Sequence, residues 1–119
     1  MQEHSFRRQE VRGFSDFSLT FARDSEAVVV GVVGELDCAS GPTLEDRLGD
    51  LIENQGNRTV VIDLTNMTFV DSSGLSVLVG AYRRLRERGG DLSLRCPSRS
   101  TRKVFQITGL DRVLPIDER

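Results

Sequence analysis

The sequence predicts an α/β fold in which mostly parallel strands follow chain order and are joined by crossover helices, as β-β-α-β-α-β-α-β. Three observations predict it. From Ser18 onward, strand-like and helix-like segments alternate, which is the usual signature of a parallel sheet with crossover helices. Of the strand-like segments, AVVVGVVG at 27–34 is almost continuously β-branched and TVVIDL at 59–64 is of buried character, as strands inside a layered sheet are. The length of 119 residues suits one domain and is too short for two ordinary cores. Residues 1–15 read as a polar N-terminal extension without periodicity, expected to be flexible, and residues 16–119 as the domain.

Each element has its own warrant. Ser18 to Phe21 forms a short first strand, turned by Arg23, Asp24 and Ser25 into a second, Ala27 to Gly34, whose β-branched run suits a central strand covered on both faces. Pro42 falls where a helix begins, with Ser40 or Gly41 available as cap, and Leu44, Leu48, Leu51 and Ile52 make one apolar stripe. That helix ends near Asn54, Gln55 and Gly56. Thr59 to Leu64 is a buried strand, followed by a loop from Thr65 to Val70. Leu75, Leu78, Val79, Tyr82 and Leu85 recur with helical period, and Arg83, Arg84, Arg86 and Arg88 gather at the negative end of that helix before Gly89 and Gly90 stop it. Asp91 to Cys96 alternates as a half-buried strand, with Cys96 on the apolar side, and Pro97 closes it. A third helix from Ser98 to Thr108 carries Val104, Phe105 and Ile107, with Gly109 and Leu110 as a glycine cap and its apolar contact. Val113 to Ile116 is the last strand.

Composition narrows the function. Sixteen basic against eighteen acidic residues leave a formal charge of −2, which gives no basic excess to drive nucleic-acid binding through counterion release. The longest apolar run, residues 27–34, is far short of a membrane span, and the N-terminus lacks an apolar signal-peptide core. A cytoplasmic protein without direct nucleic-acid or membrane partners is the expectation. Cys38 and Cys96 match no zinc or redox spacing. They fall on strands separated by a third, beyond the roughly 7 Å Cα limit for a disulfide. Cys96 reads as core and Cys38 as exposed after the Gly34 to Asp37 turn.

Sites in such folds lie where strands lead into helices, and three junctions qualify: Glu35 to Gly41, Thr65 to Gly74, and Cys96 to Thr101. The middle one is richest, reading Asp71, Ser72, Ser73, Gly74 and Leu75. A nucleophile elbow needs glycine two residues before its serine and a histidine elsewhere, whereas Val70 precedes Asp71 and the single histidine, His4, lies in the extension. No glycine-rich run followed by lysine cradles a nucleotide. Glu35, Asp37, Asp63 and Asp71 at strand ends could gather around a divalent cation, but carboxylates there more often cap helices or face solvent. The reading therefore contains no catalytic residue, metal or cofactor, and the protein is not read as an enzyme. A pair of serines at a helix start remains. A phosphate there meets unpaired N–H groups and the positive dipole end, and adds about −1.5 to −2 charges to a surface. Asp, Ser and Ser are also common caps, and both readings hold together if Asp71 caps and Ser72 faces outward.

With these residues in view, the sequence resembles the STAS domain family, and more narrowly the bacterial anti-sigma factor antagonists, over roughly residues 18 to 116. Gly34, Glu35, Leu36 and Asp37 resemble the family's first turn. Val61 to Leu64 and Phe69 to Gly74 resemble its strand and phosphorylation motif, and Gly89, Gly90, Thr108, Gly109 and Leu110 its later landmarks. The resemblance implies that Ser72 is phosphorylated by a cognate anti-sigma factor that is itself an ATP-dependent serine kinase. It further implies that the unphosphorylated protein binds this kinase and frees the sigma factor, and that a PP2C-type phosphatase restores the binding form. Gly34, Glu35, Asp37, Asp71, Ser73 and Gly74 are the implied partner-binding residues. Ser76 departs from the family, where many members carry a second glycine. The alternative is a STAS module that acts as a scaffold or binds a small ligand without phosphorylation.

Overall fold

The computed structural model describes residues 6–7 and 16–118. They form one seven-stranded sheet and three α-helices: β1 (Phe6–Arg7), β2 (Phe17–Asp24), β3 (Ala27–Leu36), α1 (Gly41–Gly49), β4 (Thr59–Asp63), β5 (Met67–Val70), α2 (Ser72–Glu87), β6 (Asp91–Arg95), α3 (Arg99–Thr108) and β7 (Ile116–Asp117). The strand order is β1-β2-β3-β4-β6-β7. β2 is antiparallel to both β1 and β3, whereas β3, β4, β6 and β7 are parallel to one another. The mostly parallel sheet in chain order is as the sequence predicts.

Two additions change the element list. Phe6–Arg7 lies within the polar extension yet pairs with Phe21 and Ala22 of β2. The rest of the extension, His4 included, is outside the described residues. The segment read as a loop from Thr65 to Val70 contains β5, which pairs with β3 through Gly34↔Met67, Glu35↔Phe69 and Leu36↔Val70. β4 and β5 therefore lie end to end along one edge of β3, with β4 taking residues 28–31 and β5 residues 34–36. The pairing shifts register between Gly34 and Glu35.

The core sits on one face of the sheet. Val28, Val30 and Val32 of β3, Val60 and Ile62 of β4, and Leu92 and Leu94 of β6 are buried, in one cluster with Leu44 and Leu48 of α1, Leu78 and Leu85 of α2, and Phe105 of α3. Each such side chain contributes about 1.5–3 kcal/mol by leaving water. The expectation that β3 is covered on both faces is corrected: Ala27, Val29, Gly31 and Val33 point to the other face and are only half-buried, because successive side chains alternate and the core packs on one side. β-Branched residues occupy both faces here because they fit the pleated backbone.

The element ends differ in places from the sequence pattern. After α1 the chain widens into a π-helical turn, Asp50–Asn54, fastened from outside by Arg84, whose Nε and Nη2 donate to Glu53 at 3.1 and 3.0 Å. At the C-terminus the strand expected from Val113 is replaced by a 3-10 turn, Leu110–Arg112, and an exposed Val113, so that β7 begins only at Ile116. Leu114, only 1 % exposed, anchors that turn, and Leu114 N–H bonds back to Leu110 O instead of entering a ladder.

Candidate functional site

The site is built where β3 and β5 end side by side. Val70 pairs with Leu36, and the Asp71 N–H donates to Leu36 O at 3.2 Å, so the two chains leave the sheet together. β5 then turns into α2 through Asp71, whose extended backbone (φ −110°, ψ −175°) is that of an N-cap residue. Its Oδ1 accepts the N–H of Gly74 at 3.0 Å. Its Oδ2 accepts the N–H of Cys38 at 3.1 Å, in the loop after β3. One carboxylate thus closes a helix end and ties two loops together.

The β3–α1 loop is held as tightly. Asp37 Oδ1 accepts the N–H groups of Ala39 and Ser40 at 3.0 and 2.9 Å. Ser40 Oγ accepts the Asp37 N–H at 2.9 Å and donates to Glu35 O at 2.7 Å. The backbone N–H of Ser40, foremost, with its hydroxyl and the Ala39 N–H, holds the Asp37 carboxyl below its ordinary value against a smaller opposing effect of desolvation. The sequence offers Ser40 or Gly41 as the cap of α1, and Ser40 is the residue at that position. Its hydroxyl, however, is buried and turned back into the loop, and makes no side-chain cap bond. Nothing in the local pattern distinguishes the two uses of a serine there.

The glycines bring the backbones close. A Cβ on Gly74 would lie 2.7 Å from Leu36 O, 2.8 Å from Leu36 Cγ and 2.9 Å from Val70 Cγ2. Gly34 has φ +94°, and a Cβ there would fall on the Asp16 carbonyl. The close approach at Gly74 seats α2 against the end of β3, and Gly34 lies where the pairing with β5 shifts register.

Ser72 and Ser73 are the first two residues of α2 and both are exposed. Among the described residues neither hydroxyl has a hydrogen-bond partner. Their position leaves them beside the unpaired N–H groups of the first helical turn, the favourable end of the helix dipole for an anion. Ser76 Oγ is spent within the helix, donating to Ser72 O at 3.0 Å. Ser72 also borders a groove of about 410 Å³ between α2 and the end of α3, with Leu75, Val79 and Leu110 on its walls and Arg83 farther along. On the β5 side Phe69 is 51 % exposed.

Residues 18–119 match the model of the STAS domain. The chain belongs to the STAS domain family. It is 34% identical over 94 residues to the anti-sigma-B factor antagonist of Listeria monocytogenes, covering 79% of this chain and 82% of the relative. Among solved structures, it is similar to an anti-sigma factor antagonist from Mycobacterium paratuberculosis, with 28% identity, a TM-score of 0.78, and coverage of 87% of this chain and 86% of that one. The Bacillus cell fate determinant SpoIIAA in its phosphorylated form is similar with 30% identity, a TM-score of 0.65, and coverage of 85% and 90%.

Within this STAS domain the residues singled out by sequence come together at one rim of the sheet. Ser72, Ser73 and Glu35 are exposed there; Asp37 and Asp71 are half-buried with their carboxylates engaged by backbone N–H groups; Gly74 is buried, and Gly34 lies at the register shift. Cys38 is free and exposed in the same loop, whereas Cys96 is free and buried, its thiol pushed up by burial with Arg102 opposing. Among the described residues no group of three or more His, Cys, Asp or Glu side chains is placed to hold a metal ion, and no helix is long and apolar enough to cross a membrane.

Proposed function

We propose that this STAS domain is an anti-sigma factor antagonist whose binding form is unphosphorylated, and that phosphorylation of Ser72 switches it off. The observation that carries the reading is the unengaged, exposed Ser72 hydroxyl at the first turn of α2, held out by an Asp71 whose two oxygens are both occupied. The names of the relatives and the phosphorylated form of the similar Bacillus protein support it. A phosphate on Ser72 projects from the surface, meets favourable helix-end N–H groups, and needs no rearrangement of the core. Its cost falls on a fitted partner, which must desolvate about two negative charges.

The partner under this reading is an anti-sigma factor with ATP-dependent serine kinase activity, and a PP2C-type phosphatase reverses the modification. Glu35, Ser72 and Ser73 offer side chains to the kinase, while Gly34, Asp37, Asp71 and Gly74 fix the shape of the rim. The test is capture from native lysate with wild-type, Ser72→Ala and Ser72→Asp baits, together with mapping of phosphate on recovered wild-type protein. Retention of a kinase-like ATP-binding protein by the first two baits, its loss with Ser72→Asp, and phosphate on Ser72 support the switch. Identical partners for all three baits with Ser72 unmodified overturn it in favour of a scaffold or small-ligand module.

A further inference from the structure

The opposite pole of the molecule carries a second concentration of chemistry that the switch does not use. α2 runs about 24 Å from Ser72 to its C-cap residue Arg88. There a cavity of about 330 Å³ is lined by Ile52, Gly56, Asn57, Arg58 and Arg88. Arg58 comes from the lead into β4, Arg88 from the end of α2, and both are exposed. Neither is in an ion pair among the described residues. A third guanidinium, Arg23 at the end of β2, reaches the same corner and donates to Asn57 Oδ1 at 3.0 Å.

The neighbouring acids are already engaged. Glu53 is held by Arg84 at 3.0 Å, and Asp91 lies 4.0 Å from Arg86. Arg88 adds only a minor attraction to the Glu53 carboxylate. Asn57 Nδ2 donates to Leu51 O at 3.0 Å, which fixes the cavity wall to the π-helical turn. Gly56, at φ +72° with open space around it, offers only backbone to the cavity.

We propose that this cavity binds a small phosphate-bearing anion between Arg58 and Arg88. Two guanidinium forks arriving from separate elements suit a tetrahedral group with several acceptor oxygens better than a planar carboxylate, which one fork satisfies. The volume accommodates a phosphate with a small organic group attached. The site is independent of the Ser72 reading, since it shares no residue with that rim.

The test is an amide NMR titration of the full chain, at constant ionic strength, with inorganic phosphate, glycerol phosphate and acetate as probes. Saturable shifts at Gly56, Asn57, Arg58 and Gly89 with a phosphate probe, and not with acetate, are expected. The Arg58→Ala/Arg88→Ala double variant is expected to bind about tenfold or more weakly, and Arg88→Lys to fall between it and the wild type. Equal binding of the two phosphates identifies the free anion as ligand; tighter binding of glycerol phosphate identifies a phosphate monoester. Shifts that never saturate, that acetate reproduces, that centre on Ser72 and Ser73, or that survive in the double variant overturn the proposal. Both arginines are exposed, and an unchanged melting temperature in the double variant verifies that it remains folded.

Discussion

Asp71 and Cys38, thirty-three positions apart in the chain, are joined by a 3.1 Å hydrogen bond from a backbone N–H to a carboxylate oxygen. The second oxygen of Asp71 accepts from Gly74. Truncation by Asp71→Ala removes a helix cap and a loop tie together. The expected loss is about 1–3 kcal/mol by denaturant unfolding, with the amide resonances of Cys38 and Gly74 both displaced. A variant that moves Gly74 alone contradicts the tie.

Gly74→Ala tests the close seat of α2 on β3. The added methyl meets Leu36 O at 2.7 Å, a backbone atom that cannot swing aside. Overpacking of this kind costs about 1–3 kcal/mol. An unfolding midpoint equal to that of the wild type would show that the helix end relaxes freely.

Ser72→Asp adds charge where the helix dipole accepts it, beside Asp71 but away from the buried cluster. Stability is expected to stay within about 0.5 kcal/mol of the wild type, as for surface substitutions generally. A collapse in melting temperature would mean that the serine is structural and would explain any lost binding without a switch.

How much of this was legible in the sequence depends on the reach of each signal. α2 was visible because Leu75, Leu78 and Leu85 repeat with its period and Gly89 stops it at φ +79°. Asp71 as a cap was visible for the same reason, since its partner Gly74 is three residues away. β5 was not: Met67 is buried while Thr68 and Phe69 are both exposed, so the segment has no alternation and owes its strand to β3 alongside. The Asp71 to Cys38 bond and the inward turn of Ser40 are likewise products of tertiary placement. The arginine cavity was invisible too, because Arg58 and Arg88, far apart in the chain, line one cavity only after the sheet has formed.

Acid should loosen the β3–α1 loop through Asp37. Its folded carboxyl titrates below the ordinary value of 3.8, first because the Ser40 N–H bonds to the ionised form. A depressed folded value contributes stability that is in force above the unfolded value and fades as pH falls through the folded one. The Ala39 and Ser40 amide resonances are therefore expected to move together below pH 3.8, and the movement should vanish in Asp37→Asn. Movement at neutral pH would contradict the assignment.

The two thiols should separate cleanly in a chemical test. Cys38 is exposed and Cys96 buried with its thiol pushed up, and the thiolate is the reacting form. A thiol reagent is expected to label Cys38 rapidly in the native protein and Cys96 only on unfolding. Equal labelling rates would contradict the burial of Cys96.

The end-to-end arrangement of β4 and β5 has a consequence for how the molecule breathes. β4 is gripped on both sides, by β3 and β6, whereas β5 is attached to β3 alone through three residue pairs. Cooperative opening units follow such differences in attachment. The amide protons of Met67 to Val70 should exchange with solvent well ahead of those of Val60 and Ile62, so that the strand leading to Ser72 detaches and reseats while the interior stays closed. Under the switch proposed for Ser72, a modifying enzyme would meet a segment able to bend toward it while the rest of the sheet stays paired.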